Sequence, residues 1–195
     1  TLFRSGTVKT SGDYFNSTLT MNVSGKYSDP DDYAKGTTII IGSEETDEIH
    51  GNGRTDIIYG GKGTDKLYGE NGNDELHGDT GNDELYGGNG DDTYVFNLGD
   101  GNDVIDEKRS NGKDKVVFGE GIKAEDVKVT REGNDMVLVV GSEGDTLRIT
   151  SQYTDSYSQI ESFEFADGTV KTTGDYFNST LTMKVSGKYS DPDDY

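Results

Sequence analysis

Aspartates recur every nine residues through the middle of this 195-residue chain: Asp47, Asp56, Asp65, Asp74, Asp83 and Asp92, then, after a two-residue slip, Asp103. A carboxylate can serve as acid, base, nucleophile or hard-cation ligand. General acid and base catalysis needs two groups whose surroundings differ, so a row of equivalent acids argues for cation binding. Stacked one strand apart, the acids repel unless a cation lies between them. Calcium accepts roughly six to eight oxygen ligands in flexible geometry, whereas magnesium gives up its waters reluctantly. Zinc fits poorly, because the chain has no cysteine and its two histidines, His50 and His77, stand three units apart on opposite edges.

The units that carry these acids read GSEETDEIH, GNGRTDIIY, GGKGTDKLY, GENGNDELH, GDTGNDELY and GGNGDDTYV, and FNLGDGNDVID follows out of register. Their eighth positions are apolar or aromatic: Ile49, Ile58, Leu67, Leu76, Leu85 and Tyr94, with Ile105 in the shifted unit. Neither a helical period nor sustained alternation fits a nine-residue repeat, so the stretch reads as a solenoid. Six residues make a turn and three, such as Lys66 to Tyr68, make a strand that points Leu67 inward. Each unit is half a coil, so Asp47, Asp65, Asp83 and Asp103 form one row and Asp56, Asp74 and Asp92 the other.

Glycines at the second and fourth positions, Gly61, Gly63, Gly72, Gly81, Gly88 and Gly90, complete the candidate metal loops by permitting left-handed backbone. Glu45 and Arg54 occupy the fourth position in the first two units, which weakens the metal sites expected there. The sites joining Asp56 to Asp74, Asp65 to Asp83 and Asp74 to Asp92 are the stronger candidates, and about three to five calcium ions are expected in all. One inward side chain per nine residues is little to set against the entropy of ordering the rest, so folding should depend on the metal.

Composition agrees. The net charge is −20 and only 29% of residues are hydrophobic; residues 42–106 alone hold 17 acids against 3 bases. That charge disfavours nucleic acid as a partner. No apolar run approaches a membrane span. Residues 6–33 recur as 168–195 with two differences, Ser11 against Thr173 and Asn22 against Lys184, which suggests a parent with tandem units of about this length. Residues 1–35 read as a linker or the end of a preceding unit, 36–107 as the roll, 108–170 as a β-rich cap and 171–195 as the start of the next unit. Within the duplicated stretch, Leu19 to Val23 alternates well enough for a strand. The Asp29-Pro30 and Asp191-Pro192 bonds invite the idea of self-cleavage, which no accompanying catalytic motif supports.

The pattern G-G-x-G-x-D-x-U-x resembles the RTX, or haemolysin-type, calcium-binding repeat, and DTYVFNLGDGNDVIDE resembles the signature that closes such rolls. DKVVFGEGIKAEDVKVTREGNDMVLVVGSEGDTLRITSQY and IESFEFADGTV resemble the haemolysin-type calcium-binding-related cap. The resemblance implies an all-β chain: a right-handed parallel β-roll closed by further, partly antiparallel strands. Strands are expected at Val116 to Phe118, Val127 to Thr130, Met136 to Val140, Thr146 to Ile149 and Ile160 to Phe165, with hairpin turns at 133–134 and 142–144. It also implies a secreted bacterial toxin, adhesin or exoenzyme exported by a type I secretion machinery and folding in external calcium. Two alternatives stay open: a polysaccharide or host-surface binding module using Tyr59, Tyr68 and Tyr86 or the basic residues Lys113, Lys115, Lys128 and Arg131, and a spacer in a tandem adhesin. No nucleophile, phosphate-loop or HExxH motif supports an enzyme.

Overall fold

The computed structural model describes residues 19–28, 36–107, 112–141, 144–154, 159–177 and 182–183. Its strands form two sheets. One has eight strands in the order β1 (Leu19–Asn22), β3 (Thr38–Ile41), β5 (Asp56–Gly63), β7 (Glu75–Gly81), β9 (Thr93–Phe96), β11 (Asp114–Phe118), β15 (Ile160–Glu164) and β16 (Val170–Thr172). The other has nine, running β17 (Thr182–Met183), β12 (Lys128–Glu132), β13 (Asp135–Val140), β14 (Asp145–Ile149), β10 (Asn102–Ile105), β8 (Glu84–Asn89), β6 (Lys66–Asn71), β4 (Glu48–His50) and β2 (Lys26–Ser28). Through the repeats the chain alternates between sheets, and each strand pairs in parallel with the strand two along in sequence.

Alternation within each short strand sends its central residue inward, and parallel pairing then aligns those residues from coil to coil. Met21, Ile40, Ile58, Leu76, Tyr94, Val116 and Phe163 form one file. Tyr27, Ile49, Leu67, Leu85, Ile105 and Ile149 form the facing one. Leu67 is 0% exposed between Ile49 and Leu85, so Leu67→Ala should cost about 2–5 kcal/mol. Urea unfolding at one saturating calcium concentration measures that loss without a change in ligand linkage.

One expectation changes. Strands are longer than three residues: β5 and β7 pair onward through Gly61↔Asp79 and Gly63↔Gly81, because the turns themselves stack in register. Within the stretch 1–35, expected as a linker or the end of a preceding unit, the described residues 19–28 add one strand to the end of each sheet. β1 lies parallel on β3 with Met21 beside Ile40, and β2 lies parallel on β4 with Tyr27 beside Ile49. Its alternating apolar residues cover the edges that β3 and β4 would otherwise expose. In the second copy of this stretch, Thr182 and Met183, the counterparts of Thr20 and Met21, also lie along a sheet edge, pairing in parallel with Thr130 and Arg131 of β12.

After the repeats, β11 and β14 continue the two sheets in parallel, and β13 and β12 add antiparallel strands. The hairpin joining β12 to β13 turns at Gly133, whose φ is 66°, and Asn134, where a Gly-Asn turn was expected. The expected turn at 142–144 falls mostly outside the described residues, as do both Asp-Pro bonds. The apolar end is closed by aromatic packing. Phe96 meets Phe118 edge to face, Phe118 stacks on Phe165, and Phe163 meets Tyr176 of the short helix α1 (Thr173–Phe177). Buried Gln152 holds that end by hydrogen bonds to both backbone groups of Ile160 and to the Thr173 hydroxyl.

Candidate metal centre

The expected aspartates form two continuous ladders along the two turn edges. On one, the backbone N–H of Asp47 donates to Asp65 Oδ1 at 2.7 Å, that of Asp65 to Asp83 Oδ1 at 2.8 Å and that of Asp83 to Asp103 Oδ1 at 3.0 Å. On the other, Asp56 donates to Asp74 Oδ1 and Asp74 to Asp92 Oδ1, both at 2.8 Å. This second ladder goes on to Asp114, whose Oδ1 receives the Asp92 N–H at 2.9 Å. All of these carboxylates are buried.

From Asp65 onward, Oδ1 of each ladder acid is thus held by backbone, and Oδ2 differs along the roll. In the first unit, Asp47 Oδ2 receives the Ser43 N–H and hydroxyl at 2.6 and 2.8 Å; in the second, Asp56 Oδ2 receives the Asn52 N–H at 2.8 Å. In the later units, Oδ2 of Asp65, Asp74, Asp83 and Asp92 is buried without a hydrogen-bond donor. At Oδ2 the change coincides with the units that carry glycine at the fourth position, although in the second unit Asp56 Oδ1 is likewise buried without a hydrogen bond. Arg54, which replaces that glycine in the second unit, donates to Asn52 Oδ1 and to the Thr38 hydroxyl.

The undonated oxygens lie in tight cradles. A Cβ on Gly60 would sit 2.7 Å from Asp65 Oδ2 and 2.6 Å from the Gly78 carbonyl oxygen. One on Gly69 would sit 2.5 Å from Asp74 Oδ2 and 2.6 Å from the Gly87 carbonyl oxygen. Each cradle therefore gathers a carboxylate and a carbonyl, a hard-oxygen set that fits calcium. Gly61, Gly63, Gly72, Gly88 and Gly90 have φ between 100° and 139°, as their turns require, while Gly81 does not have a positive φ. At Gly81 the constraint is close approach, since a Cβ would strike the Gly63 carbonyl oxygen.

Buried charge without a counter-charge is costly, and the aspartates register it. Burial, opposed by the backbone N–H bonds and reinforced by neighbouring acids, pushes Asp65 and Asp92 up to about 6, Asp83 to about 7, and Asp74 and Asp103 to about 8. The roll's lysines lie elsewhere. Lys62 and Lys66 pair with Glu44 and Glu84 on the exposed face.

Asp100, Glu107 and Asp114 are further buried acids that the nine-residue count passes over. Asp100 accepts the Asn97 N–H at 2.6 Å, and burial pushes it to about 6. Asp114 lies 22 residues after its ladder partner Asp92 rather than 18. Asp114-Lys115-Val116 nevertheless repeats the aspartate, outward residue and inward residue of the motif.

The ninth-position aromatics stack as the sheet spacing dictates. His50, Tyr68 and Tyr86 form one column with centroids 4.2 and 4.6 Å apart and planes within 7°, and Tyr59 stacks on His77 at 4.3 Å. Their faces are largely taken by one another, which favours cross-strand packing over a platform for sugar rings.

Residues 41–76 and 68–105 match the RTX calcium-binding nonapeptide repeat (4 copies), and residues 135–180 match the haemolysin-type calcium binding protein related domain. Among solved structures, the chain is similar to the AlgE6R3 subunit of the mannuronan C5-epimerase from Azotobacter vinelandii, determined in solution. Identity is 28%, the match covers 77% of this chain and 93% of that one, and the TM-score is 0.41. No curated protein matches. No helix among the described residues is long and apolar enough to cross a membrane. With its ladders of aspartate and its glycine cradles in register along a parallel solenoid, the chain belongs to the RTX haemolysin-type calcium-binding repeat proteins, and its roll is a calcium-binding module.

Proposed function

We propose that this module is a calcium-triggered folding unit of a larger exported protein, unfolded while it passes through a type I secretion channel and folded once outside. The observation that carries the reading is the set of buried Oδ2 atoms on Asp65, Asp74, Asp83 and Asp92, which receive no donor from the protein. A fold that buries so many acids with so few inward apolar groups needs cations to hold it. Calcium is scarce inside cells and roughly millimolar outside, so the same chemistry keeps the chain threadable before export and compact after it. Folding on the far side also opposes return through the channel. The activity of the parent, whether toxin, adhesin or exoenzyme, resides in other segments, and the role of this one is structural rather than catalytic.

Far-UV circular dichroism during a calcium titration from a chelated start tests the proposal. A coil-to-β transition is expected with calcium and not with equal magnesium, and it should be weakened in the double variant Asp65→Ala, Asp74→Ala. Full β structure in chelator, indifferent to calcium, overturns it.

A further inference from the structure

We propose that Asp92, Glu107 and Asp114 form a calcium site of a build different from the nonapeptide sites, placed where the roll meets the strands that close it. The proposal rests on the calcium-binding role above. Oxygens of the three carboxylates lie within 4.8 Å of one another, and the residues are 0%, 1% and 1% exposed. Independently of that clustering, Asp92 Oδ2 is buried and receives no hydrogen bond. Glu107 and Asp114 both fall outside the residues that match the repeat, 41–76 and 68–105.

Sheet register explains what Glu107 is doing there. Gly51, Gly69 and Gly87 open successive units along this edge, and a Cβ on Gly51 or Gly69 would meet the carbonyl oxygen of the next glycine in the file at 2.7 or 2.6 Å. β8 pairs with β10 as Leu85↔Ile105, so two residues further on Glu107 stands opposite Gly87. Where the file would supply another glycine, the sequence supplies a carboxylate. The Tyr94 hydroxyl fixes it in place, accepting the Gly87 N–H at 2.7 Å and donating to Glu107 Oε1. The Asp114 carboxylate is set by the Asp92 N–H, and the Asp114 N–H donates to Glu161 Oε2 at 2.7 Å.

Three buried carboxylates carry one more negative charge than a pair of ladder aspartates, and ligand charge count is a main determinant of calcium affinity. This site should therefore bind more tightly than those between ordinary coils. Its position has a structural consequence. Asp114 opens β11, which pairs with β9 of the roll on one side and β15 on the other, so an ion here joins the closing strands to the last coil.

Calorimetric calcium titration of the whole chain tests the site with Glu107→Gln and Glu107→Gly, and Asp65→Asn serves as a reference on the opposite edge. Glycine is what the neighbouring coils carry, so Glu107→Gly decides the matter should Glu107→Gln not fold. The expected result is loss of the tightest site, or weakening by at least about tenfold, in both Glu107 variants, with the remaining sites retained. Calcium-dependent amide protection of β11 should fall in parallel. Unchanged stoichiometry and affinity in a folded Glu107 variant, with Asp65→Asn impaired, overturns the proposal and leaves the repeat sites standing. No calcium binding by the unaltered protein overturns the role on which both depend.

Discussion

Asp74→Asn is expected to raise the calcium concentration at the folding midpoint by roughly 100-fold or more, whereas Asp47→Asn should raise it by about tenfold or less. The two acids occupy the same position of the motif and are equally buried, at 1% exposure each. Their second oxygens differ. Asp47 Oδ2 accepts the Ser43 N–H and hydroxyl and its Oδ1 accepts the Gly25 N–H, so the protein already holds both oxygens, and an amide keeps one of these two sets of bonds while removing no oxygen that an ion would use. Asp74 Oδ2 has no donor and faces the Gly87 carbonyl across the Gly69 cradle. It also stands mid-ladder between Asp56 and Asp92, so one substitution disturbs the sites on both sides. Calcium titrations followed by circular dichroism compare the variants directly. Equal shifts for Asp47→Asn and Asp74→Asn would mean that donor satisfaction does not distinguish the ends of the roll.

That distinction was partly legible in the sequence. Glu45 and Arg54 break the glycine pattern in the first two units, and these are the units where a backbone or hydroxyl donor closes on the aspartate. The two ladders and the inward files follow from a nine-residue period that is half a coil, so their membership could be read by counting. Counting fails where the period does. The insertions after Asp92 and Asp103 carry the ladder to Asp114 and bring Glu107 opposite Gly87, and only sheet register reveals either placement. The two strands before the repeats were obscured for another reason. β1 and β2 lack the glycine and aspartate signature, and they join the roll through the inward side chains Met21 and Tyr27. A motif search follows the metal loops, whereas the solenoid requires only an inward residue at the right register.

Without calcium, the chain is expected to gain β structure as pH is lowered from about 8 towards 5. Burial raises Asp74 and Asp103 to about 8, Asp83 to about 7, and Asp65, Asp92 and Asp100 to about 6, from an ordinary value of 3.8 in the unfolded chain. A carboxyl raised in this way binds more protons folded than unfolded. Its contribution to stability is complete below 3.8 and is lost as pH climbs through the folded values, between about 6 and 8. Protons and calcium thus do the same work, relieving the repulsion of the aspartate rows, and calcium should add progressively less β structure as the solution is acidified. Asp74→Asn separates the two. Its amide can donate to the Gly87 carbonyl oxygen while its own oxygen still accepts the Asp56 N–H, so the variant resembles the protonated acid at every pH. In chelator at pH 8 it should be more folded than the unaltered protein, and in calcium less so. Circular dichroism at both conditions reads this reversal of sign. A variant less folded than the unaltered protein in both would show that the aspartate rows do not oppose folding in the absence of a cation.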